Sequence, residues 1–74
     1  MAKTELDLKG LKYTMPIVKA SVEIKKGSPG DVFEVVCDYS GFEHDIRQWC
    51  EETGNILDTL NRSGDDITAT IIKK

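Results

Sequence analysis

Apolar and polar residues alternate most clearly over residues 31–37. Phe33, Val35 and Cys37 fall on one face of an extended chain, and Glu34 falls on the other. Because a carboxylate prefers water, we predict a strand here whose Phe33 face lies against the core. Two shorter runs predict closing strands at residues 56–61 and 67–73, joined by a polar turn.

Residues 40–54 show a helical repeat instead. Its apolar positions, which recur at helical spacing, are Phe42, Ile46, Trp49, Cys50 and Thr53. Ser40 and Glu43 have the spacing of a capping box, in which the serine hydroxyl accepts a hydrogen bond from a first-turn N–H, and Gly54 can end the helix. We therefore predict a helix between these two signals.

Residues 16–26 fit two patterns. Val18, Ala20, Val22 and Ile24 alternate with polar residues, which is typical of a strand, and the β-branched content agrees. On this evidence alone the segment would be assigned as extended.

Three features of the same segment favour a helix. Pro16 suits a first turn, where its missing N–H costs nothing, and residues 25–27 supply two cations and a glycine at the other end. Ile17, Ser21 and Ile24 share one helical face, with Val18 and Ala20 beside it. We predict a helix with this face inward.

The composition indicates a small folded domain. With 74 residues there is room for one domain, residues 1–74, and a chain of this size buries only about 60% of its unfolded surface. No apolar run approaches the roughly 20 residues of a membrane span, and the first five residues lack a signal region, so we expect a cytoplasmic protein. In that compartment the two cysteines should be free thiols.

The net charge of −3 is unevenly distributed. Residues 1–28 have six Lys against three acidic residues, and the remainder has four basic against ten acidic residues, so the two parts carry +3 and −6. The excess of Lys in residues 1–28 would suit an acidic binding partner. A solvated surface without any partner explains the same excess equally well.

Residues 7–16 resemble the active-site loop of the TusA/SirA family of sulfur-relay proteins. In that family Asp-x-x-Gly is followed by Cys-Pro-x-Pro at a helix start, and Asp7, Gly10 and Pro16 match the pattern. Tyr13 occupies the cysteine position and Thr14 the first proline position.

The resemblance continues through the chain. Pro29-Gly30-Asp31 is similar to the family's turn before a strand, and Asp45-Ile46 with Trp49-Cys50 is similar to its second helix. This implies a short strand at residues 4–8 and an α+β fold in the order β-α-β-α-β-β. The implied architecture is a two-layer sandwich, with two helices on one face of a four-stranded mixed sheet.

The resemblance implies a role in sulfur transfer, but this chain has no cysteine at the position that carries the sulfur in the family. Family members accept sulfur from cysteine desulfurases or rhodanese-like proteins and pass it on, for example to tRNA thiolation. A cysteine at a helix start is acidified by the helix dipole, whereas a phenol titrates near pH 10 and holds no sulfane sulfur. Thr14 is a good N-cap, so Tyr13-Thr14 fits an ordinary helix start. We predict no catalytic residue and a non-catalytic, partner-binding or regulatory role.

The predicted binding site is the start of the first helix. Its free N–H groups near Lys9 and Lys12 suit an anion or a carboxylate of a relay protein. The site comprises Gly10, Lys12, Tyr13, Thr14 and Pro16. We expect no cofactor and a monomer.

Two alternatives remain open. Cys37 or Cys50 could carry sulfur, although both fall on apolar faces, where a thiol has a raised pKa and poor access. Nucleic acid could bind the sheet or the basic helix, although no basic patch with interleaved aromatic residues supports this. We expect no metal site, because Cys37, His44 and Cys50 match no zinc spacing.

Overall fold

A computed structural model describes residues 3–74 as six elements in the order β-α-β-α-β-β. They are β1 (Lys3–Asp7), α1 (Met15–Lys26), β2 (Val32–Cys37), α2 (Phe42–Thr53), β3 (Ile56–Ser63) and β4 (Asp66–Ile72). The predicted order is confirmed, including the helix for the ambiguous segment.

The four strands form one mixed sheet in the order β1-β2-β4-β3. β1 and β2 are parallel, while β4 is antiparallel to both of its neighbours, β2 and β3. Parallel neighbours cannot be joined by a tight turn, so the chain crosses from β1 to β2 through α1. This confirms the predicted two-layer α+β architecture.

One hydrophobic core lies between the helices and the sheet. The predicted inward face of β2, namely Phe33, Val35 and Cys37, is buried. The core residues with the lowest exposure are Ala20, Ile24, Phe33, Val35, Cys37, Phe42, Ile46, Cys50, Ile67, Ala69 and Ile71. Since α1 and α2 both contribute to this cluster, they cover the same face of the sheet.

The buried face of α1 differs from the predicted one. Pro16, Ala20 and Ile24 are buried, whereas Val18 is 48% exposed and Val22 is similarly open. On a helix, residues two apart lie about 200° around the axis and residues four apart lie nearly in line. An alternating pattern therefore becomes two apolar stripes on opposite sides, and only one of them can reach the core. Ile17 and Ser21, which were expected inward, are half-buried at the border.

The predicted side-chain caps are wrong. Thr14 is the N-cap of α1, but its hydroxyl makes no capping bond, and the N-cap of α2 is Gly41 rather than Ser40. Both N-cap residues have helical backbone angles, whereas a capping side chain needs the extended region. At α2 the Phe42 N–H donates instead to the Tyr39 carbonyl, 3.0 Å away. The left-handed Gly54 that ends α2 is as predicted.

Gly27 ends α1 for a reason other than the expected one. Its backbone is extended, with φ −79° and ψ 175°, so no left-handed turn requires glycine here. A Cβ at this position would lie 2.6 Å from Cζ of the buried Phe33. Close approach between the helix end and the first core residue of β2 is what excludes a side chain.

None of the helices in residues 3–74 is long and apolar enough to cross a membrane.

We expect Gly27→Ala to lower the free energy of unfolding by about 1 to 3 kcal/mol, the usual cost of overpacking a core. Urea unfolding followed by Trp49 fluorescence measures it. Ser28→Ala is the matched control, because Ser28 is exposed and adjacent. Equal stability of the two variants would contradict the steric role of Gly27.

Candidate functional site

The candidate site is the connecting loop, residues 8–14, between β1 and α1. Because β1 and β2 are parallel, their carboxyl ends meet at one edge of the sheet, with Asp7 in register with Val36. The connecting loop leaves this edge and continues the pairing for one step, since the Leu8 N–H donates to the Val36 carbonyl at 2.8 Å. The carboxyl ends of parallel strands are where α/β proteins commonly place their sites.

Two turns set the course of the connecting loop. The Lys9 N–H donates to Oδ1 of Asp7 at 3.0 Å, and the Leu11 N–H donates to the Leu8 carbonyl at 3.2 Å. Gly10 lies between them with φ +91°, a conformation that strongly favours glycine. The motif residues Asp7 and Gly10 thus have conformational roles, whatever chemistry follows them.

Tyr13 has the most unusual geometry in the loop. It is 72% exposed, and its φ of +61° makes it the one non-glycine residue with positive φ among residues 3–74. A left-handed conformation costs a residue with a Cβ roughly 1 to 2 kcal/mol. The Tyr13 ring lies 5.7 Å from the Tyr39 ring, centroid to centroid, at 58°. Backbone strain of this kind occurs often at functional sites.

The first turn of α1 has few free donors for an anion. The Met15 N–H donates to the Lys12 carbonyl at 3.2 Å, the Val18 N–H donates to the Thr14 carbonyl at 3.0 Å, and Pro16 has no N–H. The side chain of Lys12 is exposed and makes no ion pair within residues 3–74. A partner's carboxylate would therefore pair with the Lys12 ammonium more readily than with the backbone N–H groups of the first turn of α1.

The structure brings four of the five predicted site residues to the surface. Gly10, Lys12, Tyr13 and Thr14 are exposed on the connecting loop. Pro16 lies in the first turn of α1 and is fully buried, so its side chain packs inside the protein and is not exposed to a partner.

Cys37 lies directly beneath the connecting loop. It is fully buried at the carboxyl end of β2, its thiol donates to the Leu11 carbonyl at 3.8 Å, and its sulfur accepts from the Tyr39 N–H at 3.5 Å. Burial raises the pKa of Cys37; the Tyr39 N–H opposes this and the Asp38 carboxylate adds to it. The thiol therefore remains protonated and out of reach at neutral pH.

Cys50 is still less suited to nucleophilic chemistry. It is 3% exposed on the inner face of α2, and burial raises its pKa to about 11. A sulfur acceptor needs an accessible thiolate, and neither cysteine provides one in this conformation.

An exposed apolar stripe extends from the connecting loop along α1 and was missed at the sequence level. It consists of Met15, Val18 and Val22, each about half exposed. The signal was present, because a strongly alternating segment that folds as a helix must leave one of its two stripes outside the core. The prediction that Val18 flanks the inner face hid it.

A groove of ≈ 240 Å³ borders this stripe between α1 and α2. Ile17, Val18 and Trp49 supply its apolar lining, and Asp45 and Glu52 supply carboxylates from α2. Large apolar surface next to fixed charge is typical of a protein-binding face.

No group of three or more His, Cys, Asp or Glu residues with metal-binding geometry occurs in residues 3–74.

Comparison with sequence families gives one match. The family described as "Sulfurtransferase TusA" matches residues 4–74. Relatives named as candidate sulfur carrier proteins include one from Aquifex aeolicus, 39% identical over 93% of this chain, and one from Halobacterium salinarum, 32% identical over 93% of this chain and 85% of its own length. This chain spans about a third (34%) of the Aquifex relative.

Comparison with solved structures agrees on the fold. The SirA-like protein from Desulfitobacterium hafniense superposes with a TM-score of 0.80 over 93% of this chain and 95% of that one. The two sequences are 21% identical, so this match supports the architecture alone.

We expect iodoacetamide to label Cys50 of the native protein very slowly. With its pKa raised from 9.0 to about 11, the thiolate fraction should keep rising with pH where an ordinary thiol levels off. Between about pH 7 and 9.5 the rate should climb roughly tenfold per unit. Tryptic peptides 27–47 and 48–62 separate the two cysteines for mass spectrometry. Fast labelling that levels off near pH 9 would show that Cys50 is an ordinary, accessible thiol.

Proposed function

This chain belongs to the TusA family of sulfur carriers, and from that membership we propose that it binds the partners of a sulfur relay without itself carrying the persulfide. It acts as a partner-binding or regulatory domain. The partners that fit are the proteins that meet such carriers: a cysteine desulfurase, a rhodanese-like protein or a downstream sulfur acceptor.

The observation that carries the proposal is the identity and geometry of residue 13. At the tip of the connecting loop, where the family motif has its cysteine, Tyr13 presents an exposed phenol in a strained conformation. A phenol can contact a partner but cannot hold a sulfane sulfur for transfer. The remaining thiols of the chain, Cys37 and Cys50, are buried and have raised pKa values.

The surface around Tyr13 supports a binding role. An exposed tyrosine is a common anchor at protein interfaces, because it supplies a large rigid ring and a polar end. Next to it lie the apolar stripe on α1 and the Lys12 ammonium. These features offer a partner an apolar contact area next to the exposed positive charge of Lys12, and the carboxylates of Asp45 and Glu52 border the same stripe.

Sulfur transfer through the other cysteines has less support. Each would need its covering residues to move before a persulfide could reach it, and each is disfavoured as a thiolate at neutral pH.

Nucleic-acid binding also has less support. The sheet face away from the helices carries Glu5, Asp7 and Glu34 around a shallow depression, and these carboxylates would repel phosphates.

The first test asks whether the chain accepts sulfur. The protein is incubated with a cysteine desulfurase and L-cysteine and then weighed intact. We expect no mass gain for the wild type and a gain of one sulfur atom for Tyr13→Cys combined with Thr14→Pro, which restores the family motif. Persulfide on Cys37 or Cys50 of the wild type would reject the proposal.

The second test measures partner binding by calorimetry, with purified cysteine desulfurase as the probe. Tyr13→Ala and Val18→Glu should each weaken binding about tenfold or more, as loss of an interface anchor does. Asn61→Ala is the matched control, because Asn61 is exposed on β3, away from the connecting loop. If all three variants bind the desulfurase as tightly as the wild type, the connecting loop is not the docking surface.

A further inference from the structure

The last residue of β2 and the two residues that follow it, together called the clasp (residues 37–39), hold the connecting loop in place. Oδ1 of Asp38 accepts the Gly10 N–H at 3.0 Å, and the Cys37 thiol donates to the Leu11 carbonyl at 3.8 Å. Neighbouring residues of one segment thus bind neighbouring residues of the other, although 26 and 28 positions separate them in sequence.

The third residue of the clasp holds the tip of the loop. The Tyr39 ring packs on the Tyr13 ring, and the Tyr39 carbonyl accepts the Phe42 N–H at the start of α2. Gly41 allows this position, because a Cβ there would lie 2.8 Å from a carbon of the Tyr39 ring. Tyr39 is thereby fixed from the α2 side, and Tyr13 rests on it from the solvent side.

The connecting loop lies between the Cys37 sulfur and an exposed part of the surface. On the sheet, Cys37 is in register with Ile67 of β4, which is fully buried. On the other side, the sulfur contacts the Leu11 carbonyl of a loop whose residues 9, 10, 12 and 13 are exposed. A reagent reaches the thiol by the shortest path if the loop lifts off the clasp.

We propose that the connecting loop and the clasp form a gate over Cys37, which opens locally and then admits a small disulfide to the thiol. In the open state the thiol loses its proton to solvent and the thiolate attacks one sulfur of the disulfide. A mixed disulfide forms on Cys37, the S–S bond of the reagent breaks, and its second half leaves as a thiolate. The adduct occupies the space under Leu11, so the gate cannot close.

The gate does not depend on a partner that binds the loop. Its test therefore uses the protein and a reagent alone, without a partner protein. If the loop is the docking surface, as the proposed function holds, modification of Cys37 also displaces Tyr13 and weakens docking.

The test measures how fast Cys37 reacts with DTNB, an aromatic disulfide, in a Cys50→Ala background that leaves one thiol per chain. Adding Tyr13→Ala removes the ring contact, and we expect the reaction to accelerate about two- to tenfold, the range implied by the strength of an aromatic pair. If Cys50→Ala does not fold, the wild type and Tyr13→Ala are compared by peptide mapping of Cys37.

The hydrogen bond from the Gly10 N–H to Asp38 is tested with two variants. They differ in whether residue 38 keeps an oxygen that can accept this hydrogen bond. Asp38→Ala and Asp38→Asn both remove the charge that raises the pKa of Cys37, but only the asparagine keeps an oxygen for the Gly10 N–H. Asp38→Ala should react about two- to tenfold faster than Asp38→Asn, as expected for one hydrogen bond. Equal rates for the two variants would remove Asp38 from the gate.

Global unfolding is the competing route to the thiol. Ile71→Val loosens the core at a distance from Cys37. Ile71 is in register with Phe33, near the start of β2, whereas Cys37 is at its end. If the gate opens locally, Cys37 reacts with DTNB at the same rate with and without the Ile71→Val change. Low urea concentrations then also leave this rate nearly constant. If Ile71→Val accelerates the reaction as much as Tyr13→Ala, or if the rate rises steeply with urea, Cys37 is exposed by unfolding and the gate is rejected.

Discussion

The parallel pairing of β1 with β2 is the constraint on which the rest of the structure depends. It requires a crossover, and α1 provides it while covering one face of the sheet. It also places the start of the crossover beside the carboxyl end of β2, so the connecting loop lies over Cys37 and against Tyr39. The candidate site thus follows from the topology before any side chain adds its chemistry.

The geometry of the connecting loop and the chemistry of its tip are separate properties in this protein. Asp7 and Gly10 still bend the loop, and buried Pro16 still begins the helix. The tip of the loop exposes the ring of Tyr13, and both cysteines lie in the core. Loop geometry needs only backbone turns and a few contacts with the clasp, so it does not depend on which side chain stands at the tip.

The alternating segment in α1 leaves part of its apolar surface outside the core. Period-two alternation on a helix produces two apolar stripes, and the sheet can cover only one. Pro16, Ala20 and Ile24 form the core side, while Met15, Val18 and Val22 remain in contact with water. The strand-like pattern of this segment is thus explained by a helix that is apolar on two sides, one facing the core and one facing solvent.

The sequence by itself determined the inward face of β2 and the glycine that ends α2, because these depend on local periodicity and turn chemistry. Its resemblance to the TusA family supplied the short β1 and the order of the elements. It also placed the candidate loop, through the residues 7–16 that resemble the TusA family. Tertiary structure decided which stripe of α1 is buried, why Gly27 must be glycine and how residues 37–39 hold the loop. It also showed that neither Thr14 nor Ser40 makes a capping bond. Each of these depends on distances between segments that are far apart in the chain, and a one-dimensional pattern contains no such distances.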